Sequence, residues 1–301
     1  MLKRSAVPLL ALVLLSLATI SLAGCPSQTT GGKQPTAGKP GTTAEGTKGG
    51  EEAGEKSQVT LYFVKDGRVT PVRRSVTKSA AIGAATLRAL LEGTESADQK
   101  RGLVSTIPGG TSLNSLTINE GVATVDLSAA FERGDRLDLR VAQIVYTLQQ
   151  FPSVTSVRFK VAGKAVESLG GKLTLDHPVS RVDFAQDAPS EVRSERGNII
   201  VVTPPPGTKV SSSVRVEGVA RVFEANLVIE LKTADGTSLA RQQVTASAGA
   251  PEFGTFSADL AFRVDSTQPG VLVVTAPSAA SPGEGPGDES VSIGLTLVPS
   301  R

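Results

Sequence analysis

Among 301 residues there is one cysteine, Cys25, and one histidine, His177. A cysteine nucleophile needs a base to form its thiolate, and these two residues stand about 150 positions apart with nothing in the sequence to bring them together. His177 sits in "DHPVS", between Asp176 and Ser180, which supplies the residue types of a hydrolytic triad. Adjacent side chains on an extended segment point to opposite sides, so Asp176 is expected to be badly placed to orient His177, and the histidine is read as structural. Glu224 and Glu230 would share one strand face, but six residues of strand separate them by roughly 20 Å, too far for joint acid–base work. Two glycine-rich stretches imitate nucleotide loops. "GKQPTAGKPG" has the wrong spacing, carries Pro40 where a magnesium-binding hydroxyl belongs, and follows no apolar strand. "GEGPG" at 283–287 precedes an alternating segment instead of a helix and is read as a hairpin loop. No histidine cluster suits zinc and no acidic loop suits calcium, so the sequence offers no catalytic residue, cofactor site or metal site.

The surroundings of Cys25 point to different chemistry. Lys3 and Arg4 precede the apolar run "AVPLLALVLLSLATI", and the small residues Ala23 and Gly24 follow, which is the layout of a secretory signal. The run is shorter than the roughly 20 residues of a spanning helix and contains Pro8. Leu22, Ala23, Gly24 and Cys25 resemble the lipobox of bacterial lipoproteins, which implies cleavage before Cys25 and a diacylglyceryl group on its thiol. Two acyl chains hold a protein stably on a bilayer where one is marginal. Residues 1–24 are therefore read as a lipoprotein signal peptide, and 25–57 as the lipidated cysteine and a disordered tether. From Pro26 to Lys56 there is no Val, Ile, Leu or aromatic residue, so no core can form, and such a Gly-rich coil spans roughly 30 Å. With Cys25 acylated no disulfide is available. Loss of Lys3 and Arg4 from a chain of formal charge +2 leaves it near neutral, which removes electrostatic support for nucleic-acid binding. The absence of tryptophan and 4% aromatic content argue against extended stacking platforms.

Order is expected from Gln58. Val59, Leu61 and Phe63 alternate, Asp66-Gly67 turns the chain, and "RVTPVRRSV" returns as a second strand. Ser79 is placed to cap a helix running to Glu92, with Gly93 as its stop. A second hairpin, Leu113 to Leu127, turns at Asn119-Glu120-Gly121. A longer helix carries Leu137, Val141, Ile144, Val145, Leu148 and Phe151, and "VTSVRFKV" adds a strand. The order ββαββαβ over 58–185 predicts an α+β domain with both helices on one face of a mainly antiparallel sheet. After a linker at 186–197, strands are expected to begin at Asn198, Ser213, Arg221, Ser238, Thr255, Val271 and Ser290. Phe223, Ala225, Leu227, Ile229 and Leu231 would share one face, and Phe256, Ala258, Leu260, Phe262 and Val264 another. About seven strands predict an all-β immunoglobulin-like sandwich over 198–301. The connection "TESADQKRGLVSTIPGGTS" is long for a compact domain; Asp98, Lys100 and Arg101 are candidate contacts for a partner, and Leu103, Val104 and Ile107 are expected to pack the loop down.

The segments "LYFVKDGRV", "IPGGTSLNSLTINEGVATVDLS", "VAQIVYTLQQFPSVTSVRFKVAGKAVESLGG" and "HPVSRVDF" together resemble the GerMN domain of sporulation and spore germination lipoproteins. "IIVVTPPPGTKVSSSVRVEGVARVFEANLVIELKTADGTSLA" and "FGTFSADLAF" resemble the immunoglobulin-like domain of bacterial spore germination proteins. The resemblance implies a lipoprotein on the outer face of the cytoplasmic membrane, with a ring-building-like first domain and no catalytic residues. It implies a scaffold acting through protein partners, self-association included, in sporulation, germination or envelope assembly. Two alternatives stay open: a lipoprotein that regulates a membrane sensor kinase, and an envelope hydrolase or glycan-binding protein, which would need a concave pocket with converging carboxylates.

Overall fold

A computed structural model of the chain describes residues 55–278, 285 and 287–300. Cys25, the signal and the tether lie outside these residues, as does part of the 283–287 stretch. Turn chemistry sets the first hairpin: β1 (Lys56–Lys65) and β2 (Arg68–Thr77) join through Asp66 and Gly67, whose φ values of 50° and 74° are the left-handed pair that matches strand twist. Glu120 and Gly121 do the same, at 48° and 82°, between β3 (Leu113–Asn119) and β4 (Val122–Leu127). Between the hairpins lie α1 (Ile82–Leu91) and α2 (Ser96–Lys100). Gly93 ends the α1 segment at φ 90°, as read from the sequence, but Ser79 does not cap it: Ala81 is the N-cap residue and no side chain caps the helix.

The α+β class holds, yet the expected single sheet is two. β1 and β2 form a ladder only with each other, apart from one bridge between Val64 and Val104. β3, β4, β5 (Ser156–Val161) and β6 (Lys164–Ala165) form a second sheet in that order, and β4–β5 is parallel. A parallel pair needs a crossover, supplied here by α3 (Leu137–Leu148). Every residue from Leu139 to Leu148 is buried, so α3 is enclosed on all sides and is not a helix with a wet face. Two short strands, β7 (Ser168–Leu169) and β8 (Leu173–Thr174), pair with each other beyond it.

The second half contains only strands and turns. β9 (Ile199–Thr203), β10 (Lys209–Val210), β11 (Val214–Ala220), β12 (Asn226–Thr233), β13 (Ser238–Thr245), β14 (Gly254–Leu260), β15 (Gln268–Ala276) and β16 (Glu289–Leu297) form two sheets, ordered β14-β11-β9 and β10-β16-β15-β12-β13. Alternation along β14 and β16 buries Phe256, Ala258 and Leu260 on one sheet and Val291, Ile293 and Leu295 on the other. Two expectations fail here. The strand expected from Arg221 begins only at Asn226, because Glu224 and Ala225 take φ of 53° and 57° in a turn that leaves Phe223 66% exposed. Phe262 and Val264 are buried but follow the end of β14. Residues 186–197 are ordered: 3-10 turns span Arg181–Asp187 and Ser190–Val192, and Ala188, Val192 and Ser194 are buried.

Candidate functional site

The long connection is pinned to β2 by one carboxylate. Asp98 is 1% exposed. It receives hydrogen bonds from Arg74, from Arg101 Nη2 at 2.6 Å, and from the Glu95 backbone N–H at 3.1 Å. Burial disfavours its charge, but the Arg101 bond, the Glu95 N–H and the Arg74 guanidinium outweigh that and hold its carboxyl below the usual range. Asp98 therefore cannot be the surface contact expected from the sequence. Lys100 is exposed, and Arg101 is 60% exposed while still serving Asp98. Leu103 and Ile107 pack the loop down as expected; Val104 does not, being 53% exposed, although its backbone exchanges hydrogen bonds with Val64.

A second feature was not read from the sequence. α3 and the turn that follows it carry Arg140, Gln143, Thr147 and Gln150 at helical spacing along one side. Thr147 Oγ1 accepts from Tyr62 N at 3.0 Å, and Gln143 Nε2 donates to Tyr62 O at 3.0 Å. Gln150 repeats the pattern on Thr60, accepting at 2.8 Å and donating at 2.6 Å. The outer edge of β1 is thus satisfied by helix side chains in place of a strand. Arg140, 1% exposed, donates to three carbonyls, those of Phe131, Asp135 and Thr106. It floors an open cleft of about 460 Å3 that Arg133, Asp135 and Arg136 also line.

At the junction between the halves, Arg181 is 3% exposed, with its guanidinium 5.6 Å from the Tyr62 ring centre and 5.1 Å from that of Tyr146. Nη2 donates to Tyr146 O at 2.7 Å and Nη1 reaches Val202 O on β9 at 3.5 Å. Burial pushes the Tyr146 hydroxyl well above its ordinary range despite the nearby Arg181 charge. Asp187, half-buried and facing Asp138, is pushed up to about 6 by burial first and that carboxylate second, with Arg136 and Arg193 opposing.

Glu289 fastens the same junction to β16. It accepts from Ser194 Oγ at 2.5 Å, Asn198 N at 3.2 Å and Asn198 Nδ2 at 3.0 Å, and pairs with Arg196 Nε at 3.1 Å. Burial opposes its charge, but these partners prevail and its carboxyl lies below the ordinary value of 4.5. A depressed folded value contributes stability that is present above the unfolded value and is lost as pH falls through the folded one. Glu289→Gln is expected to melt several degrees below wild type at neutral pH, with the gap closing as pH falls below the ordinary value of 4.5 and through the depressed folded one. Melting curves across pH test this; a gap independent of pH refutes the role. Asp187 titrates in both proteins and cancels.

The triad types do not assemble. His177 Nδ1 lies 2.6 Å from Asp176 Oδ1, so the expectation that Asp176 cannot orient His177 fails. Both are exposed, however, and Ser180 Oγ donates instead to Asp183 Oδ2 at 3.0 Å, within a capping box. Glu224 lies in the turn before β12, and Glu230, on β12, pairs with Lys232, so they do not share a strand face. Among the described residues no group of three His, Cys, Asp or Glu side chains could hold a metal, and no helix is long and apolar enough to cross a membrane.

Residues 60–167 match the family model described as "Sporulation and spore germination", and residues 198–282 the one described as "Immunoglobulin-like domain of bacterial spore germination". Among solved structures, the chain is similar to the first GerMN domain of the sporulation protein GerM from Bacillus subtilis, with 23% identity, TM-score 0.34, and coverage of 41% of this chain and 94% of that one. The tandem GerMN domains of the same protein give 16% identity and TM-score 0.38 over 69% of this chain and 62% of that one. A Clostridium perfringens protein assigned as a lipoprotein gives 25% identity and TM-score 0.32 over 42% and 89%. No curated protein matches.

Proposed function

From a chain that joins a sporulation and spore germination domain to the immunoglobulin-like domain of bacterial spore germination, we propose a lipid-anchored, non-enzymatic scaffold of the cell envelope. It is held at the outer face of the cytoplasmic membrane through Cys25 and acts by protein contacts in sporulation, germination or envelope assembly. The observation that carries this reading is the pinned loop. A buried, fully partnered Asp98 fixes the backbone, so Lys100 and Arg101 are presented from a rigid platform. Confinement to a membrane raises effective concentration, so contacts too weak for dilute solution become useful.

The test is made in cells. Cys25→Ser is expected to abolish labelling by radioactive palmitate and the usual processing, leaving precursor or releasing a product cut elsewhere. Because Arg101 also serves Asp98, the surface is probed with Lys100→Glu alone. Crosslinking of the anchored chain, to itself or to a membrane partner, should fall about threefold or more while melting temperature holds. His177→Ala should change neither. Loss of function in that variant with its fold preserved would restore a catalytic reading and count against this one.

A further inference from the structure

The open sheet edges of this chain are not treated alike. Folded proteins discourage strand addition with charge, proline, bulges or cover. β1 is closed by α3 and Val104. β2 carries Pro71, Arg73 and Arg74. β9 packs against the 3-10 turns of 181–192. β13 bears Arg241, and β14 bears Asp259, paired with Arg215. Among the described edge strands longer than two residues, β3 is the exception. It is the terminal strand of its sheet and reads Leu-Asn-Ser-Leu-Thr-Ile-Asn, with no charge and no proline, and its one register shift lies at the start, between Leu113 and Ser115. Ile118 is 43% exposed there, and α1, which packs against β3 with Gly83 near Leu116, has Arg88 as its only charged residue.

We propose that β3 is a strand-addition site and that its occupant is β3 of a second copy, paired antiparallel about Leu116. This rests on the association reading above and assigns it a surface. In this register Leu116 of one copy faces Leu116 of the other, and Ser115 faces Thr117. Residues 116 and 118 share a face in the regular stretch beyond the register shift, so pairing sets the two Leu116 side chains together, with the Ile118 of each copy beside its own Leu116 in one apolar strip. No like charges meet. The two-fold arrangement is closed, giving a dimer and no filament, and it merges two sheets into one. The chain's own residues 26–56 are a poor alternative occupant: they are rich in Gly and contain Pro, with no Val, Ile or aromatic residue to fill a strand.

The experiment uses the full-length chain in membranes, with two differently tagged populations and mild oxidation. Ser115→Cys mixed with Thr117→Cys is expected to give a disulfide species carrying both tags. Wild type, whose sole cysteine is Cys25, and the mixture of Ser115→Cys with Ile118→Cys, which faces the other way, should not. The double variant Ser115→Glu/Thr117→Glu sets like charges opposite each other twice and should cut crosslinking between copies at least tenfold without unfolding the chain. If the 115–117 disulfide fails while an amine-reactive reagent still joins the two tags, the strand site is overturned and association uses another surface. If the cysteines link only to a different protein, the homotypic occupant is overturned. If neither reagent joins copies, self-association itself falls.

Discussion

Gly218→Ala is expected to cost about 3 kcal/mol or more and to lower the melting temperature by at least ~6 °C. Gly218 sits in the middle of β11, hydrogen-bonded between β9 and β14, at the register shift between Glu217 and Gly218. A Cβ there would lie 2.2 Å from the Ile200 carbonyl oxygen and 2.5 Å from Phe256 Cζ. Neither can yield: one is ladder backbone, the other a 4% exposed ring filling the core directly opposite. The control is Gly294→Ala on β16, where a Cβ meets nothing within 4 Å. That variant should melt within about 2 °C of wild type. Equal melting of the two variants would show that the close approach at Gly218 is not what the sandwich depends on.

Arg181→Met should be the other severe change, at about 2–4 kcal/mol. The substitution keeps an apolar stem but removes a guanidinium that stacks on two tyrosine rings and bonds carbonyls on α3 and β9. The apolar core runs without a gap through Phe184, Ala188 and Val192 into β9, so heat should unfold wild type in one transition. Without Arg181 the link between the halves weakens, and calorimetry should record a lower onset that resolves into two transitions. Each half is expected to fold separately on its own buried apolar residues, which is the sense in which 58–185 and 198–301 are proposed as domains. A single, unshifted transition in Arg181→Met would refute the coupling.

Much of the fold was legible because it is written in local chemistry. Asp66-Gly67 and Glu120-Gly121 declare their turns, and the run Leu137 to Leu148 declares a helix. What escaped depends on residues far apart in the chain. Alternation counts side chains and is blind to φ, so it carried the β12 pattern back through Ala225 and Phe223. The backbone there is bent against residues 246–250, with Ala246 N bonding Ala225 O and Ala250 N bonding Val222 O. Asp98 looked like a surface charge because one of its partners, Arg74 on β2, is 24 residues upstream. Gln143, Thr147 and Gln150 were visible at helical spacing, but a polar stripe on a helix is ordinarily a wet face. Only the β1 edge, 81 to 90 residues away, turns it into an inward one.

That edge has a use as a reporter. In most sheets a slowly exchanging amide records the integrity of the ladder, and its release means that a neighbouring strand has left. The amides of Thr60 and Tyr62 bond Gln150, just past the end of α3, and Thr147 within it, so their exchange with solvent deuterium records whether the helix is seated on the hairpin. Amides of β1 that bond β2 record the hairpin alone. Two clocks therefore run along one strand. A ligand, partner or crosslink that loosens the helix while sparing the hairpin would quicken the first clock and leave the second unchanged.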